Sequence, residues 1–92
     1  MADSAKDLLK FAAMRRRLIF VCEPGFLPGP PALAFPAEMI AVFVHRAAVQ
    51  PAKDSEITKH CHREGWQVAR VWERRIKRNA DEALQWAFKN AK

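Results

Sequence analysis

The sequence predicts a single α/β domain over residues 1–92: a small mixed β-sheet of about four strands flanked by helices, in the order α-β-β-β-α-β-α. Residues 39–44 are six apolar residues in a row, and an apolar run without polar alternation is typical of a strand covered on both faces. Residues 66–72 are rich in β-branched and aromatic side chains, which favour a second long strand. A helix is predicted between these two strands. A helical crossover of this kind joins parallel strands, so we expect the two to pair in parallel.

The first half of the chain predicts one helix and three strands. Asp3 or Ser4 can cap a helix over about 4–16. Its apolar stripe is formed by Leu8, Leu9, Ala12 and Ala13. Turns rich in Pro and Gly then separate three predicted strands, over 18–22, 32–35 and 39–45. Because the connections between these strands are short, we expect antiparallel pairing among them.

A second helix is predicted over about 54–64. Asp54 or Ser55 can cap its first turn, and Gly65 ends it at the C′ position, where a left-handed backbone is common. The apolar face of this helix contains Ile57 and Cys61.

The last part of the chain predicts a strand and a final helix. The strand covers 66–72, and we expect both Trp66 and Trp72 to lie in the core. Asn79 and Glu82 have the spacing of a capping box, which opens a helix that ends near residue 90.

The net charge of +6 lies mostly in the second half of the chain, because residues 1–45 carry +1 and residues 46–92 carry +5. A basic excess concentrated in one half is typical of a protein that binds a polyanion. We therefore predict binding of nucleic acid, DNA more than RNA, through phosphate contacts. The candidate side chains are Arg15, Arg16, Arg17, Arg46, Arg74, Arg75, Lys77 and Arg78. A basic surface that serves solubility alone is the alternative.

The composition argues against a membrane span and a disulfide framework. No apolar run approaches the roughly 20 residues that a spanning helix needs. The two cysteines, Cys22 and Cys61, are too few for a framework and neither lies in a CxxC motif, which favours reduced thiols and a cytoplasmic location. The first residues have scattered charges and no apolar segment, so they do not form a secretory signal.

Two segments resemble the very-short-patch-repair (Vsr) mismatch endonucleases. They read LPGPPALAFPAEMIAVFVH over residues 27–45 and GWQVARVWE over residues 65–73, and the likeness extends over about 18–73. The resemblance implies a restriction-endonuclease-like fold, which agrees with the order of elements predicted above. It also implies an enzyme of DNA mismatch repair that nicks DNA beside a T:G mismatch with the help of magnesium.

Several positions that carry the family's activity have lost the necessary chemistry. The family's metal-binding Asp corresponds to Ala32, and a methyl group cannot ligate magnesium. Its second catalytic histidine corresponds to Gln50, which does not titrate. Its aromatic wedge, which pushes between bases at the mismatch, corresponds to Ala48 and Val49, and neither can stack on a base.

Two matches to the family's active site remain. The acid–base histidine corresponds to His45, and an active-site Asp corresponds to Asp54. Each also has a structural interpretation, as a histidine that ends a strand and as a helix N-cap. Glu38, in the turn between two strands, is a weaker candidate for a replacement carboxylate.

The family's structural zinc site also has no clear counterpart. The candidate ligands here are His60, Cys61 and His62, with Cys22 as a distant fourth. Consecutive residues on a helix point about 100° apart, so these side chains cannot converge on one ion. We expect no bound metal, with Cys61 in the core and both histidines solvated.

Three functions are therefore open. The favoured hypothesis is a nucleic-acid-binding relative of the Vsr endonucleases that does not cleave, and so is not an enzyme. The second is an active magnesium-dependent nicking endonuclease with rearranged ligands. The third is a small protein-interaction module, either a phage-borne inhibitor or a subunit of a nucleic-acid-processing complex, for which Phe26, Leu27 and Val49 would suit a partner surface.

Overall fold

The computed structural model describes residues 4–22, 33–45 and 51–92, except for the side chains of residues 51–54. Its elements are α1 (Ala5–Arg15), β1 (Val21–Cys22), β2 (Leu33–Phe35), β3 (Ile40–His45), α2 (Pro51–Arg63), β4 (Gln67–Trp72), α3 (Glu73–Arg78) and α4 (Ala80–Asn90). The predicted α/β class is confirmed, with one addition to the predicted order. The six-residue helix α3 lies between the last strand and the final helix, where no helix was predicted.

The four strands form one mixed sheet in the order β1-β2-β3-β4. β1 pairs with β2, and β2 with β3, in antiparallel fashion, whereas β3 and β4 are parallel. Both kinds of pairing agree with the prediction from connection lengths. The long parallel pair runs from Ile40 opposite Gln67 to His45 opposite Trp72.

Both faces of the sheet are covered, by different helices. α1, α3 and α4 pack on one face, where the strands contribute Leu33, Phe35, Ile40, Val42, Ala69 and Val71. α2 packs on the other face, where a smaller cluster contains Ala34, Ala41, Phe43, Cys61, Trp66 and Val68. The uninterrupted apolar run in β3 follows directly from this arrangement, since a strand buried on both faces has no position for a polar residue.

The larger cluster is held by small helix residues and a few large side chains. Ala12 and Ala13 on α1, with Ala83 and Ala87 on α4, are fully buried, and such small side chains let the two helices lie close together. Phe35 packs edge-on against Phe88, with the ring centroids 4.9 Å apart. Burial of one side chain as large as Phe35 contributes roughly 1.5–3 kcal/mol.

The predicted helix ends are mostly confirmed. The Ser4 hydroxyl accepts a hydrogen bond from the Asp7 N–H at 3.2 Å, and the Asn79 side chain accepts one from the Glu82 N–H at 3.1 Å. Gly65 has φ +86° and follows α2 in a Schellman motif, in which the Trp66 N–H donates to the Cys61 carbonyl at 2.8 Å.

Two predicted element boundaries are wrong. α2 begins at Pro51, three residues before the predicted start, so neither Asp54 nor Ser55 is its N-cap. Proline suits the first position of a helix because its φ is already helical and its missing N–H is not needed there. β1 covers Val21–Cys22 and not 18–22, because the Leu18 N–H is bonded to the Ala13 carbonyl at the end of α1.

The outer edge of β4 is paired with residue 92. The Val68 N–H donates to the Lys92 carbonyl at 2.7 Å, and the Lys92 N–H donates to the Val68 carbonyl at 3.1 Å. The His62 ring nitrogen Nε2 also contacts the Lys92 carbonyl, at 2.8 Å. These contacts connect the end of α2 to β4 through residue 92.

Within the described ranges, no helix is long and apolar enough to cross a membrane.

The end of α1 stores backbone strain at Arg17. This residue has φ +57°, a left-handed conformation that costs a residue with a Cβ atom about 1–2 kcal/mol. The conformation is imposed by a second Schellman motif, in which the Leu18 N–H donates to Ala13 and the Arg17 N–H to Met14, both at 3.0 Å. Glycine is the residue that ordinarily occupies such a position.

We expect Arg17→Gly to raise the free energy of unfolding by about 0.5–1 kcal/mol, because relief of the strain exceeds the added entropy of glycine in the unfolded chain. Urea denaturation at equilibrium measures the change. Arg17→Ala is the matched control, since it removes the same side chain but keeps the Cβ atom and should not stabilise the protein. Equal effects of the two substitutions would contradict the strain argument.

Candidate nucleic-acid interface

The candidate interface lies where β3 and β4 end. His45 and Trp72 are the last residues of these neighbouring parallel strands and lie opposite each other in register. Their ring centroids are 6.0 Å apart with an interplanar angle of 62°, an edge-to-face arrangement. The carboxyl ends of parallel strands meet at one edge of a sheet, which is the edge where open α/β sheets bind ligands.

Both rings lie on the face of the sheet that α2 covers. One step back along the strands, Phe43 lies opposite Arg70, and the Arg70 guanidinium carbon Cζ is 5.5 Å from the centre of the Phe43 ring. Side chains two residues apart on a strand point to the same face, so Phe43 and Arg70 lie beside His45 and Trp72 on that face.

Trp72 is 43% exposed, and the prediction that it lies in the core is wrong. Trp66, in contrast, is buried in the smaller cluster as predicted. The difference follows from alternation along β4: Ala69 and Val71 face the main core, which turns Trp72 to the opposite face. There α2 packs over Trp66 and Val68, near the start of β4, while Trp72, the last residue of the strand, is exposed.

An arginine stacks on the exposed tryptophan. The Arg74 guanidinium carbon is 5.6 Å from the centre of the Trp72 ring, within the range of a cation–π contact. Arg74 is the second residue of α3 and is itself exposed. His45, Trp72 and Arg74 therefore form one continuous group, which we call the strand-end group.

Several of the predicted phosphate-binding side chains have partners within the protein. Arg15 donates to the Asp81 carboxylate at 2.9 Å, and Arg16 lies 3.7 Å from the same carboxylate. Lys77 pairs with Glu73 at 3.0 Å. All of these groups are partly exposed, and ion pairs between exposed side chains are worth only about 0–1 kcal/mol, so they can exchange partners.

The remaining predicted arginines differ in their surroundings. Arg75 lies over the Trp86 ring, with its guanidinium carbon 4.9 Å from the ring centre. Within the part of the chain that the structure describes, Arg17, Arg74 and Arg78 are exposed and make no ion pair with a carboxylate. Arg46 lies outside the described residues.

The other predicted site residues are only partly placed. Ala32 and Gln50, the two positions with altered chemistry, lie outside the described residues, as do Ala48 and Val49. Asp54 lies in the first turn of α2, but its side chain is not among those described. Glu38 lies in the turn before β3, at the opposite end of that strand from His45, so the two cannot act on one ligand atom.

The described residues do not fit a metal site. Across residues 4–22, 33–45 and 55–92, no three His, Cys, Asp or Glu side chains come together as ligands. Cys61 is fully buried, whereas His62 contacts the Lys92 carbonyl and His60 lies 3.9 Å from Glu64. We therefore derive no chemical step through a metal ion.

Other surface features lie outside the strand-end group. Phe26 and Leu27, expected to suit a protein partner, lie outside the described residues. Large apolar side chains that are exposed within the described ranges include Ile19 and Met14. An open groove of about 390 Å³ lies on the other face of the sheet, and its lining is formed by Arg16, Leu18, Leu84, Gln85, Phe88 and Lys89.

A solved structure shares this architecture. The catalytic domain of the homing endonuclease I-Bth0305I superimposes with a TM-score of 0.73 over 92% of this chain and 90% of that chain, at 12% sequence identity. The chain has an endonuclease-like fold. At this identity the likeness establishes the fold alone, so the predicted restriction-endonuclease-like architecture is confirmed while membership in the Vsr family stays a prediction. Protein-family models and curated proteins gave no match.

Sequence reasoning missed Arg70 and the exposure of Trp72. A signal was present in β4, which reads Gln67-Val-Ala-Arg-Val-Trp72. A charged residue in the middle of a strand marks the face that is less completely buried, and Trp72 is two residues from Arg70, on the same face. The prediction that Trp72 lies in the core relied on the β-branched and aromatic composition of the strand and did not use this alternation.

Cys61 has a raised pKa because burial removes its thiolate from water, while the positive charge of Arg70 opposes the shift to a smaller extent. In the unfolded chain the thiol ionises near its ordinary pKa of 9.0, whereas in the folded protein it ionises only at a higher pH. The contribution of Cys61 to stability is therefore complete below pH 9.0 and is lost as the pH rises through the folded-state pKa.

We expect the free energy of unfolding to fall as the pH is raised above 9.0, and Cys61→Ala to reduce the slope of that fall. Urea denaturation across this pH range measures both slopes. Cys22→Ala is the matched control, because Cys22 is exposed and should leave the slope unchanged. If Cys61→Ala had the same slope as the unmodified protein, ionisation of the buried Cys61 thiol would not be the cause of the fall in stability.

Proposed function

We propose that this protein binds nucleic acid, DNA more than RNA, through phosphate contacts and without cleaving it, as a relative of the Vsr mismatch endonucleases. The observation that carries the proposal is a set of exposed arginines, Arg17, Arg74 and Arg78, that have no carboxylate partner within the described ranges. They lie on an endonuclease-like fold with a net charge of +6.

Arginine without an internal partner is well suited to phosphate. Its planar guanidinium presents donors in a fork that matches two phosphate oxygens, and it keeps its charge at any physiological pH. Arg74 and Arg78 are four residues apart on the sequence of α3, so their side chains share one side of that helix. Two guanidinium groups on one helix side can contact successive phosphates of one strand.

A second group of candidate phosphate contacts consists of cations whose ion pairs within the protein are weak. Arg15 and Arg16 share Asp81, which lies in the first turn of α4, three residues after Arg78 in the chain. α1, α3 and α4 pack together, so this pair joins the end of α1 to the region where α3 ends. A polyanion at Arg78 would therefore also attract Arg15 and Arg16.

The absence of cleavage is supported by the residues that stand where the resemblance expects catalytic groups. Ala32 has no ligand atom and Gln50 has no titratable proton. Among the side chains that the structure describes, no three metal-ligating groups come together.

A magnesium-dependent nicking endonuclease is the second candidate. The observation that favours it is the place of His45, which is half-buried at the ligand-binding edge of the sheet and next to Trp72. An imidazole at such an edge is a suitable proton donor or acceptor for a phosphodiester.

Salt dependence tests the binding proposal. We expect the logarithm of the binding constant for a labelled duplex to fall linearly with the logarithm of salt concentration, because bound phosphates release counterions. The double substitution of Arg74 and Arg78 by Ala should reduce the slope by about 2, at roughly 0.9 for each phosphate contact. Fluorescence anisotropy titrations at several salt concentrations measure these slopes.

The matched control is the double substitution of Lys59 and Lys89 by Ala, which removes the same charge from exposed positions on α2 and α4. It should change the slope much less. Equal changes in the two double variants would indicate attraction by net charge alone and would remove the assigned contacts. No measurable binding at low salt would remove the proposal.

Cleavage is tested separately on supercoiled plasmid and on a duplex with a T:G mismatch, each with magnesium. We expect no nicked product above the level given by His45→Ala, because the principal ligand position holds Ala32. Gel electrophoresis measures the product. Nicking that disappears in His45→Ala would establish the second candidate in place of the first.

A further inference from the structure

We infer that the strand-end group, Trp72 with Arg74 and His45, is a binding site for an unpaired nucleobase, which stacks on the Trp72 ring. The inference rests on the proposed nucleic-acid binding and adds to it the chemical form of the partner. Phosphate contacts alone do not distinguish a paired from an unpaired strand, whereas a stacking ring does.

Exposure of Trp72 is the first argument. The residue is 43% exposed although it follows Val71, which is fully buried, and although Trp66, just before the start of β4, is buried. Indole is a large apolar ring, and leaving it in water forgoes stabilisation of about 25 cal/mol for each Å² left uncovered. A flat ligand that covers the ring recovers this energy.

Rigidity is the second argument. Trp72 ends β4, pairs in register with His45, and is followed at once by α3, whose Ile76 is anchored in the main core. The backbone on both sides of the ring is therefore fixed by a sheet and a helix. A ring held in this way loses little conformational freedom when a ligand binds, which favours affinity.

The charges around the ring identify the partner. Arg74 lies over the ring at 5.6 Å, and Arg78 follows one helical turn later without a carboxylate partner within the described ranges. A base on Trp72 would place its own phosphate beside these guanidinium groups. An aromatic ring bordered by arginine is the combination found in proteins that bind unpaired nucleic acid, where stacking supplies affinity and cations follow the backbone.

A base inside an intact duplex does not fit this site. Both of its faces are already covered by neighbouring bases, and access would require unstacking. A strand with a bulged or unpaired base offers a free face at a smaller cost. The strand-end group should therefore distinguish unpaired from fully paired DNA.

The test compares a short DNA duplex with the same duplex carrying a one-nucleotide bulge, measured by fluorescence anisotropy with the full chain. We expect the bulged duplex to bind more tightly. Trp72→Ala should weaken binding to the bulged duplex by roughly 10- to 100-fold, the range that base–aromatic stacking supplies, and change binding to the intact duplex little. Trp72→Phe, which keeps a ring, should retain much of the preference.

Phe11→Ala is the matched control, because Phe11 is an aromatic residue of similar exposure on α1 and should not affect the preference. A second measurement needs no substitution in the protein. An abasic nucleotide at the bulge should abolish the preference of the unmodified protein, so the inference stays testable if Trp72→Ala does not fold.

The outcomes separate the inference from the proposed function. If both duplexes bind with equal affinity, or if the abasic bulge binds as well as the complete one, the base site is overturned while nucleic-acid binding stands. If neither DNA binds, the proposed function itself is overturned, and with it the inference. A preference for the bulge that depends on Trp72 and on the base supports both.

Discussion

The parallel pairing of β3 with β4 determines which side of the sheet each side chain of the candidate interface occupies. Because side chains alternate along a strand, a shift of the pairing by one residue would exchange the two faces. In the observed register Val71 enters the main core, while Arg70 and Trp72 face α2 and the solvent. The position of the strand-end group is thus a consequence of how the apolar residues of two strands are buried.

Much of the fold could be predicted because its signals are local. The apolar run of β3 and the N-cap at Asn79 each depend on a few adjacent residues, and both are confirmed. The start of α2 at Pro51 was missed because the capping side chains of Asp54 and Ser55 indicated a later start. The helix α3 was missed because six residues are too few to show helical periodicity.

The candidate interface was less accessible to sequence reasoning, because its electrostatics depend on residues far apart in the chain. Arg15 meets Asp81 although 66 positions separate them, and nothing near Arg15 in the sequence predicts that partner. The sequence identified the arginines as a class, whereas their division into paired, stacked and unpaired groups is a property of the packed helices. The exposure of Trp72 is likewise a property of the packed structure, since Trp66 and Val68 are buried beneath α2 whereas Trp72 is not.

The two hydrogen bonds between Val68 and Lys92 bear on how copies of this protein behave at high concentration. β4 is at the edge of the sheet, and an edge strand with unoccupied backbone groups is a template for another chain. Residue 92 occupies the backbone groups of Val68 on that side. An incoming strand would first have to displace this short pairing, so it helps to keep neighbouring molecules from joining their sheets.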